Sequence, residues 1–117
     1  MDDVLVFHNP SCSKSRGALE ILRERQIEPR VVEYLKAPPD RATLERIVRS
    51  LASEPAALVR KDKRFEELGL DRDHYVTVAQ VVELLLGHPE LMERPVVFVG
   101  ERAVIARPSE KVLELLD

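Results

Sequence analysis

The single cysteine of this sequence, Cys12, lies between an apolar segment, residues 4–7, and an amphipathic segment that begins at about residue 13. This pattern predicts a strand, a short loop carrying the thiol, and a helix. A thiol at a helix N-terminus faces unpaired backbone N–H groups and the positive end of the helix dipole, so its pKa should fall below the usual ~8.5. The same N–H groups can bind an oxyanion. The position of Cys12 therefore predicts a nucleophilic thiol beside an anion site.

A simpler interpretation of Cys12 exists, because a lone cysteine is more often a small buried apolar residue. Its neighbours argue against that interpretation: residues 9–11 are polar or turn-forming, and residues 13–16 are polar or cationic. With only one cysteine, no internal disulfide can form. An oxidised Cys12 must then be reduced by a thiol of another molecule.

Length and composition indicate one globular domain over residues 1–117. The formal net charge of −3 argues against a nucleic-acid-binding surface. No apolar run approaches the roughly 18 residues of a membrane span. The start, Met1-Asp2-Asp3, is acidic and lacks the features of a signal peptide, so we expect a cytoplasmic protein.

Hydrophobic periodicity and chain breakers predict the elements that hold the thiol. In chain order they are strand 4–7, helix 13–25, strand 31–35, short helices within 38–92, strands 95–99 and 102–106, and a last helix opened by Pro108. The first three form a βαβ unit, which implies a parallel crossover, and the last three form a ββα unit. We therefore predict an α/β, thioredoxin-like fold with a helical insertion, about residues 38–92, between its two halves.

The motif His8-Asn9-Pro10-Ser11-Cys12-Ser13-Lys14-Ser15-Arg16 resembles the signature of the glutaredoxin-linked arsenate reductases, the ArsC family. Other segments resemble the family in the same order and spacing: Leu35-Lys36-Ala37-Pro38-Pro39, Leu58-Val59-Arg60-Lys61, His88-Pro89, Met92-Glu93-Arg94-Pro95-Val96-Val97 and Arg107-Pro108-Ser109-Glu110. The resemblance covers nearly the whole chain, and it is closest to the short, YfgD-like branch of the family.

The resemblance implies reduction of arsenate to arsenite for arsenic detoxification. Cys12 would attack arsenate with loss of water or hydroxide, glutathione would release arsenite, and glutaredoxin would reduce the resulting mixed disulfide. Glutathione is then a co-substrate, and no bound cofactor is expected. The matching oxyanion clamp is Arg60, Arg94 and Arg107. Guanidinium groups suit this task, because their planar forks bind a tetrahedral oxyanion at two points.

Two clamp arginines carry a further signal. Arg94 and Arg107 both precede proline and flank the predicted hairpin, so their backbones are expected to be extended. Pro95 resembles the cis proline that thioredoxin-like folds place opposite the active thiol. The alternative for each arginine, Arg60 included, is an ordinary surface ion pair.

The residues around Cys12 are expected to support it. His8 either helps to keep the thiol ionised or is merely structural, and the sequence favours neither interpretation. Asn9 belongs to the turn before the thiol, and Arg16 adds positive charge. Ser15 takes the place of the second cysteine of dithiol enzymes. It can cap the helix or donate a hydrogen bond to the thiolate, but it cannot resolve a disulfide.

Other functions are open. A monothiol oxidoreductase acting on glutathione mixed disulfides needs only Cys12 and Ser15, with the arginines binding glutathione carboxylates. A regulator resembling the Spx family, which binds RNA polymerase, would share this fold, but such chains usually resemble a Cys-x-x-Cys pattern. We predict no metal site, because His8, Cys12, His74 and His88 lack zinc-like spacing.

Overall fold

A four-stranded mixed sheet forms the centre of the first of two compact units in the computed structural model, which describes residues 3–116. This unit comprises residues up to 37 and from 94 onward. Its strands are β1 (Val4–His8), β2 (Arg30–Glu33), β3 (Val96–Val99) and β4 (Arg102–Ile105). The predicted α/β class is confirmed. Met1 and Asp2 of the predicted cytoplasmic start, and the last residue, Asp117, lie outside the described residues.

The sheet order, β2-β1-β3-β4, brings the two predicted halves together. β1 runs parallel to β2, with His8 paired to Glu33, and antiparallel to β3. β3 and β4 form the predicted hairpin, whose turn at Gly100 has a positive φ of 62°. The carboxyl end of β1 therefore opens directly into the loop that carries Cys12.

Helix α1 (Ser13–Glu24) follows this loop and has the predicted start. Its buried residues Ala18, Leu19 and Leu22 recur at the three- and four-residue spacing of one helix face. They pack in a core with apolar residues from the sheet and the chain end, namely Val4, Val6, Val97, Ala106, Val112 and Leu115. Burial of this face fixes α1, and with it the thiol at its N-terminus.

The last helix differs from the prediction, because Ser109–Leu115 is a 3-10 helix rather than an α-helix. Its buried residues, Ser109, Val112 and Leu115, are spaced by three. That spacing lines up one face of a 3-10 helix, in which residues i and i+3 eclipse. Leu113, which the α-helical interpretation would place with the apolar face, is 37% exposed.

The second unit, Pro38–Glu93, contains the predicted helices, one residue beyond the expected boundary. They are α2 (Arg41–Ser50), α3 (Lys63–Glu67) and α4 (Val78–Gly87), with 3-10 turns at Pro55–Leu58 and Pro89–Leu91. Each α-helix begins at a residue whose side chain accepts a backbone N–H: Asp40, Asp62 and Thr77. That the two units form one domain stays a prediction.

Within residues 3–116, no helix combines the length and the apolar character needed to cross a bilayer.

Candidate active site

Cys12 is the N-cap residue of α1, with extended backbone, and it is 9% exposed. The turn before it is built by Asn9, whose carbonyl oxygen accepts the Cys12 N–H at 3.0 Å and whose Oδ1 accepts the Ser11 N–H at 2.9 Å. Arg16 Nη1 donates to the carbonyl oxygen of Pro10 at 2.9 Å. These bonds hold the loop in one conformation, so the sulfur has a defined position at the start of the helix.

Two arginines that are distant in sequence meet the sulfur. Arg107 Nη1 lies 3.5 Å from Cys12 Sγ and donates to the carbonyl oxygen of Arg94 at 3.0 Å. The Arg94 side chain also lowers the pKa of the thiol, while its buried Nε has no hydrogen-bond partner among residues 3–116. The Arg94–Pro95 bond is cis, as the resemblance implies, and so is the Arg107–Pro108 bond.

The pKa of Cys12 is lowered to about 7. Burial is the largest single influence and raises the pKa, but four donors together outweigh it. They are the backbone N–H of Ser15, the side chains of Arg94 and Arg107, and the backbone N–H of Lys14. The two N–H groups act on the sulfur without forming a regular N-cap hydrogen bond. The predicted lowering of the thiol pKa is therefore confirmed.

His8 and Ser15 form a buried pair beneath the loop. His8 Nδ1 lies 2.7 Å from Ser15 Oγ, which also accepts the Asn9 N–H at 3.0 Å. The expectation that the Ser15 hydroxyl caps the helix or donates to the thiolate is wrong, because the side chain turns inward to these partners and only its N–H serves the sulfur.

His8 itself is 7% exposed. Its pKa is lowered by burial, which Glu33 opposes, while Arg23 and Arg16 lower it further. A lowered pKa favours the neutral imidazole at physiological pH. A direct role of His8 at the thiol stays a prediction, since the hydrogen bond seen for its ring goes to Ser15.

Arg60 belongs to the second unit, where it makes its own ion pairs. Its Nε lies 2.8 Å from Asp62 and its Nη1 lies 3.7 Å from Glu93. These carboxylates hold the guanidinium, which remains about a quarter exposed at 28%. Its membership of an oxyanion clamp stays a prediction.

The other two histidines, His74 and His88, contact an aromatic ring and a carboxylate, respectively. His74 packs edge-on against Tyr75, and His88 Nδ1 lies 3.2 Å from Glu90. In the part of the chain that the structure describes, no group of three or more histidine, cysteine, aspartate or glutamate side chains could hold a metal ion.

One polar contact near this site was not predicted from the sequence. Ser109 Oγ donates to the carbonyl oxygen of Lys14 at 2.7 Å, next to Gly17. The available signal was Gly17 itself, because glycine is a poor helix former in the middle of a predicted helix and often marks a close approach.

The four-stranded mixed sheet, the crossover helix and the thiol at its N-terminus beside Arg107 define a thioredoxin-like α/β protein. A model of the ArsC family matches residues 7–115, and the chain belongs to that family.

Several relatives extend over nearly the whole chain. An arsenate reductase of Neisseria meningitidis serogroup A is 41% identical over 118 residues, covering 99% of this chain and 100% of the relative. The Escherichia coli K12 protein YfgD is 39% identical over 115 residues, covering 97% and 96%. A solved arsenate reductase from Vibrio cholerae has a TM-score of 0.87 at 36% identity and covers 97% of each chain. The resemblance inferred from the motif is confirmed.

The lowered pKa predicts fast alkylation of Cys12 at mildly acidic pH. At pH 6.5, a thiol of pKa about 7 is ionised roughly twentyfold more than one of pKa ~8.5, while its lower intrinsic nucleophilicity offsets about fivefold of this. We expect iodoacetamide to label Cys12 roughly fivefold faster than free glutathione at pH 6.5. Mass spectrometry of timed samples measures the rate. Equal rates would show an unperturbed thiol.

Proposed function

We propose that this protein reduces arsenate to arsenite, with Cys12 as the nucleophile and with glutathione and glutaredoxin as the reductants. The observation that carries the proposal is a thiol at a helix N-terminus that lies 3.5 Å from the Arg107 guanidinium and whose pKa is lowered to about 7. Such a site attracts an oxyanion and supplies a thiolate to attack it. Family membership and relatives named arsenate reductase support the same substrate.

The arginines bind the oxyanion in this proposal. The buried Nε of Arg94 has no acceptor among the described residues, and a buried donor of this kind normally has a partner. An arsenate oxygen would supply that acceptor. Arg107, already at the sulfur, binds a second oxygen, and Arg60 is the proposed third donor. Guanidinium forks also stabilise the negative charge that arsenate keeps as the sulfur approaches.

The chemistry requires two electrons, which two thiols supply. The Cys12 thiolate attacks arsenic(V), an S–As bond forms, and one arsenate oxygen leaves as water after protonation. A glutathione thiolate then attacks the Cys12 sulfur. The new S–S bond forms as the S–As electron pair passes to arsenic, which leaves as arsenite, arsenic(III). A glutaredoxin thiol attacks the glutathione sulfur and releases Cys12 as the thiolate.

An external reductant follows from the cysteine content, because Cys12 has no second cysteine in the chain to resolve its mixed disulfide. The low pKa of Cys12 helps this last step, since a thiol of lower pKa is a better leaving group. The reaction depends on a reduced glutathione pool, so we infer that the protein works in the cytoplasm.

Supporting roles are assigned to the residues that build the loop. Asn9 and Arg16 hold the turn that presents the sulfur. His8 holds Ser15, whose N–H is the strongest of the groups that lower the Cys12 pKa. Pro95 fixes the backbone directly after Arg94, because its ring restricts φ. His8 then acts on the thiol through Ser15.

A coupled assay tests the proposal. Purified protein is mixed with arsenate, glutathione, glutaredoxin, glutathione reductase and NADPH, and NADPH oxidation is followed by its absorbance. We expect oxidation that requires arsenate, glutathione, glutaredoxin and the protein together. Oxidation with a glutathionylated peptide when glutaredoxin is left out, together with none from arsenate in the full mixture, would favour the monothiol oxidoreductase. Activity with neither substrate, together with binding to RNA polymerase, would favour the Spx-like regulator.

A further inference from the structure

The segment that carries Arg107 is joined to the first turn of α1 at two successive places. Arg107 Nη1 lies 3.5 Å from Cys12 Sγ. Two residues further along each segment, Ser109 Oγ donates to the carbonyl oxygen of Lys14 at 2.7 Å. Ser109 is 9% exposed, and its hydrogen bond to Lys14 is partly buried. A hydrogen bond in such surroundings is stronger than one at the surface.

Gly17 makes the second contact possible. A Cβ at this position would lie 2.5 Å from Ser109 Oγ and 3.1 Å from Ser109 Cβ, and the first distance is too short for real Cβ contacts. Any other residue would force Ser109 to shift, by rotation of its hydroxyl away from Lys14 or by movement of its segment. Glycine is a poor helix former, yet it stands inside α1 at the position that faces Ser109.

The contact bears directly on Arg107. One residue, Pro108, separates Arg107 from Ser109, and its ring fixes its own φ. A displacement of Ser109 is therefore passed on to the backbone of Arg107. The electrostatic effect of a guanidinium on a thiolate falls as the two move apart. The distance between Arg107 and Cys12 thus depends on how closely Ser109 sits on α1.

We propose that Ser109 and Gly17 are positioning residues that set the distance between the Arg107 guanidinium and the Cys12 sulfur. The effect on the ionisation of Cys12 follows from the distance between Arg107 and the sulfur and does not depend on which substrate the protein has. The consequence for arsenate rests on the proposed function, because it assumes that Arg107 also binds the oxyanion.

Ser109→Ala is the decisive variant, because it removes the hydroxyl and adds no atoms. We expect the pH profile of iodoacetamide alkylation of Cys12 to move to higher pH. The rate at pH 6.5 should fall roughly two- to threefold, because a pKa rise of about half to one unit lowers the ionised fraction while the higher nucleophilicity of the thiolate offsets part of that loss. The KM for arsenate should rise by a similar factor. Gly17→Ala should act in the same direction, because its methyl group displaces Ser109.

Two controls match the changes in type. Ser53→Ala removes an exposed hydroxyl from the second unit, and Gly87→Ala adds a Cβ where no atom lies within 4 Å. Both should leave the alkylation profile as in the parent. Thermal unfolding of every variant measures stability separately.

The alkylation profile decides the proposal whether or not arsenate is the substrate. A folded Ser109→Ala protein with the parent profile would overturn it, and lower thermal stability with that same profile would give Ser109 a merely structural role. A shifted profile would uphold it, even if the parent fails to turn over arsenate and the proposed function is lost.

Discussion

Cys12→Ser is expected to abolish arsenate turnover and leave the protein folded. A serine hydroxyl stays protonated at neutral pH, so it cannot form the adduct with arsenic that the thiolate forms. Nor can it take part in the mixed disulfide that delivers the electrons. Serine is also one of the preferred residues at a helix N-cap, where Cys12 lies, so α1 should not be weakened. The coupled NADPH assay measures turnover, and circular dichroism with thermal unfolding measures the fold.

Ser13→Ala is the matched control, because it changes the neighbouring side chain, which is exposed at the first position of α1. It should keep turnover near that of the parent. If Cys12→Ser retained activity, the nucleophile would lie elsewhere and the thiol chemistry proposed above would be excluded. Loss of turnover together with loss of the helical signal would instead call for Cys12→Ala as the test of the same point.

The loop and α1 were predictable because their signals are local. An apolar run before Cys12 and three- and four-residue spacing after it fix β1 and α1 with little outside help. The hairpin was predictable for the same reason. The 3-10 character of the last helix was not predictable. Its apolar residues Val112, Leu113, Leu115 and Leu116 also fit one face of an α-helix, and only the packing of the folded protein shows that Val112 and Leu115 are the buried ones.

The candidate site was predictable only in part. Arg94 and Arg107 stood out because each precedes a proline beside the hairpin, and the family resemblance assigned them to the oxyanion clamp. The bond from Ser109 to Lys14 joins residues 95 positions apart, so the glycine inside α1 can signal a close approach there but cannot identify Ser109 as the partner. The direction of the Ser15 hydroxyl was mistaken for a similar reason. It depends on His8 lying at the end of β1, directly under the helix start.

Arg94→Lys and Arg107→Lys are expected to lower arsenate kcat/KM by roughly ten- to a hundredfold, which corresponds to about 1.5–3 kcal/mol for a lost charge-assisted contact. Lysine keeps the positive charge but has a single ammonium group instead of a planar fork. Arg94→Lys removes the buried Nε, and Arg107→Lys removes the group that spans Cys12 Sγ and the carbonyl oxygen of Arg94.

Because lysine retains the positive charge, these variants separate the effect of each arginine on thiol ionisation from its effect on oxyanion binding. Alkylation of Cys12 at pH 6.5 reports the state of the thiol, and the arsenate KM reports the oxyanion. We expect the KM to change more than the alkylation rate. Arg25→Lys, at an exposed position at the far end of α1, should change neither quantity. If both lysine variants turned over arsenate like the parent, the oxyanion would have to bind elsewhere. Arg94 and Arg107 would then serve the thiol alone, as a monothiol oxidoreductase requires.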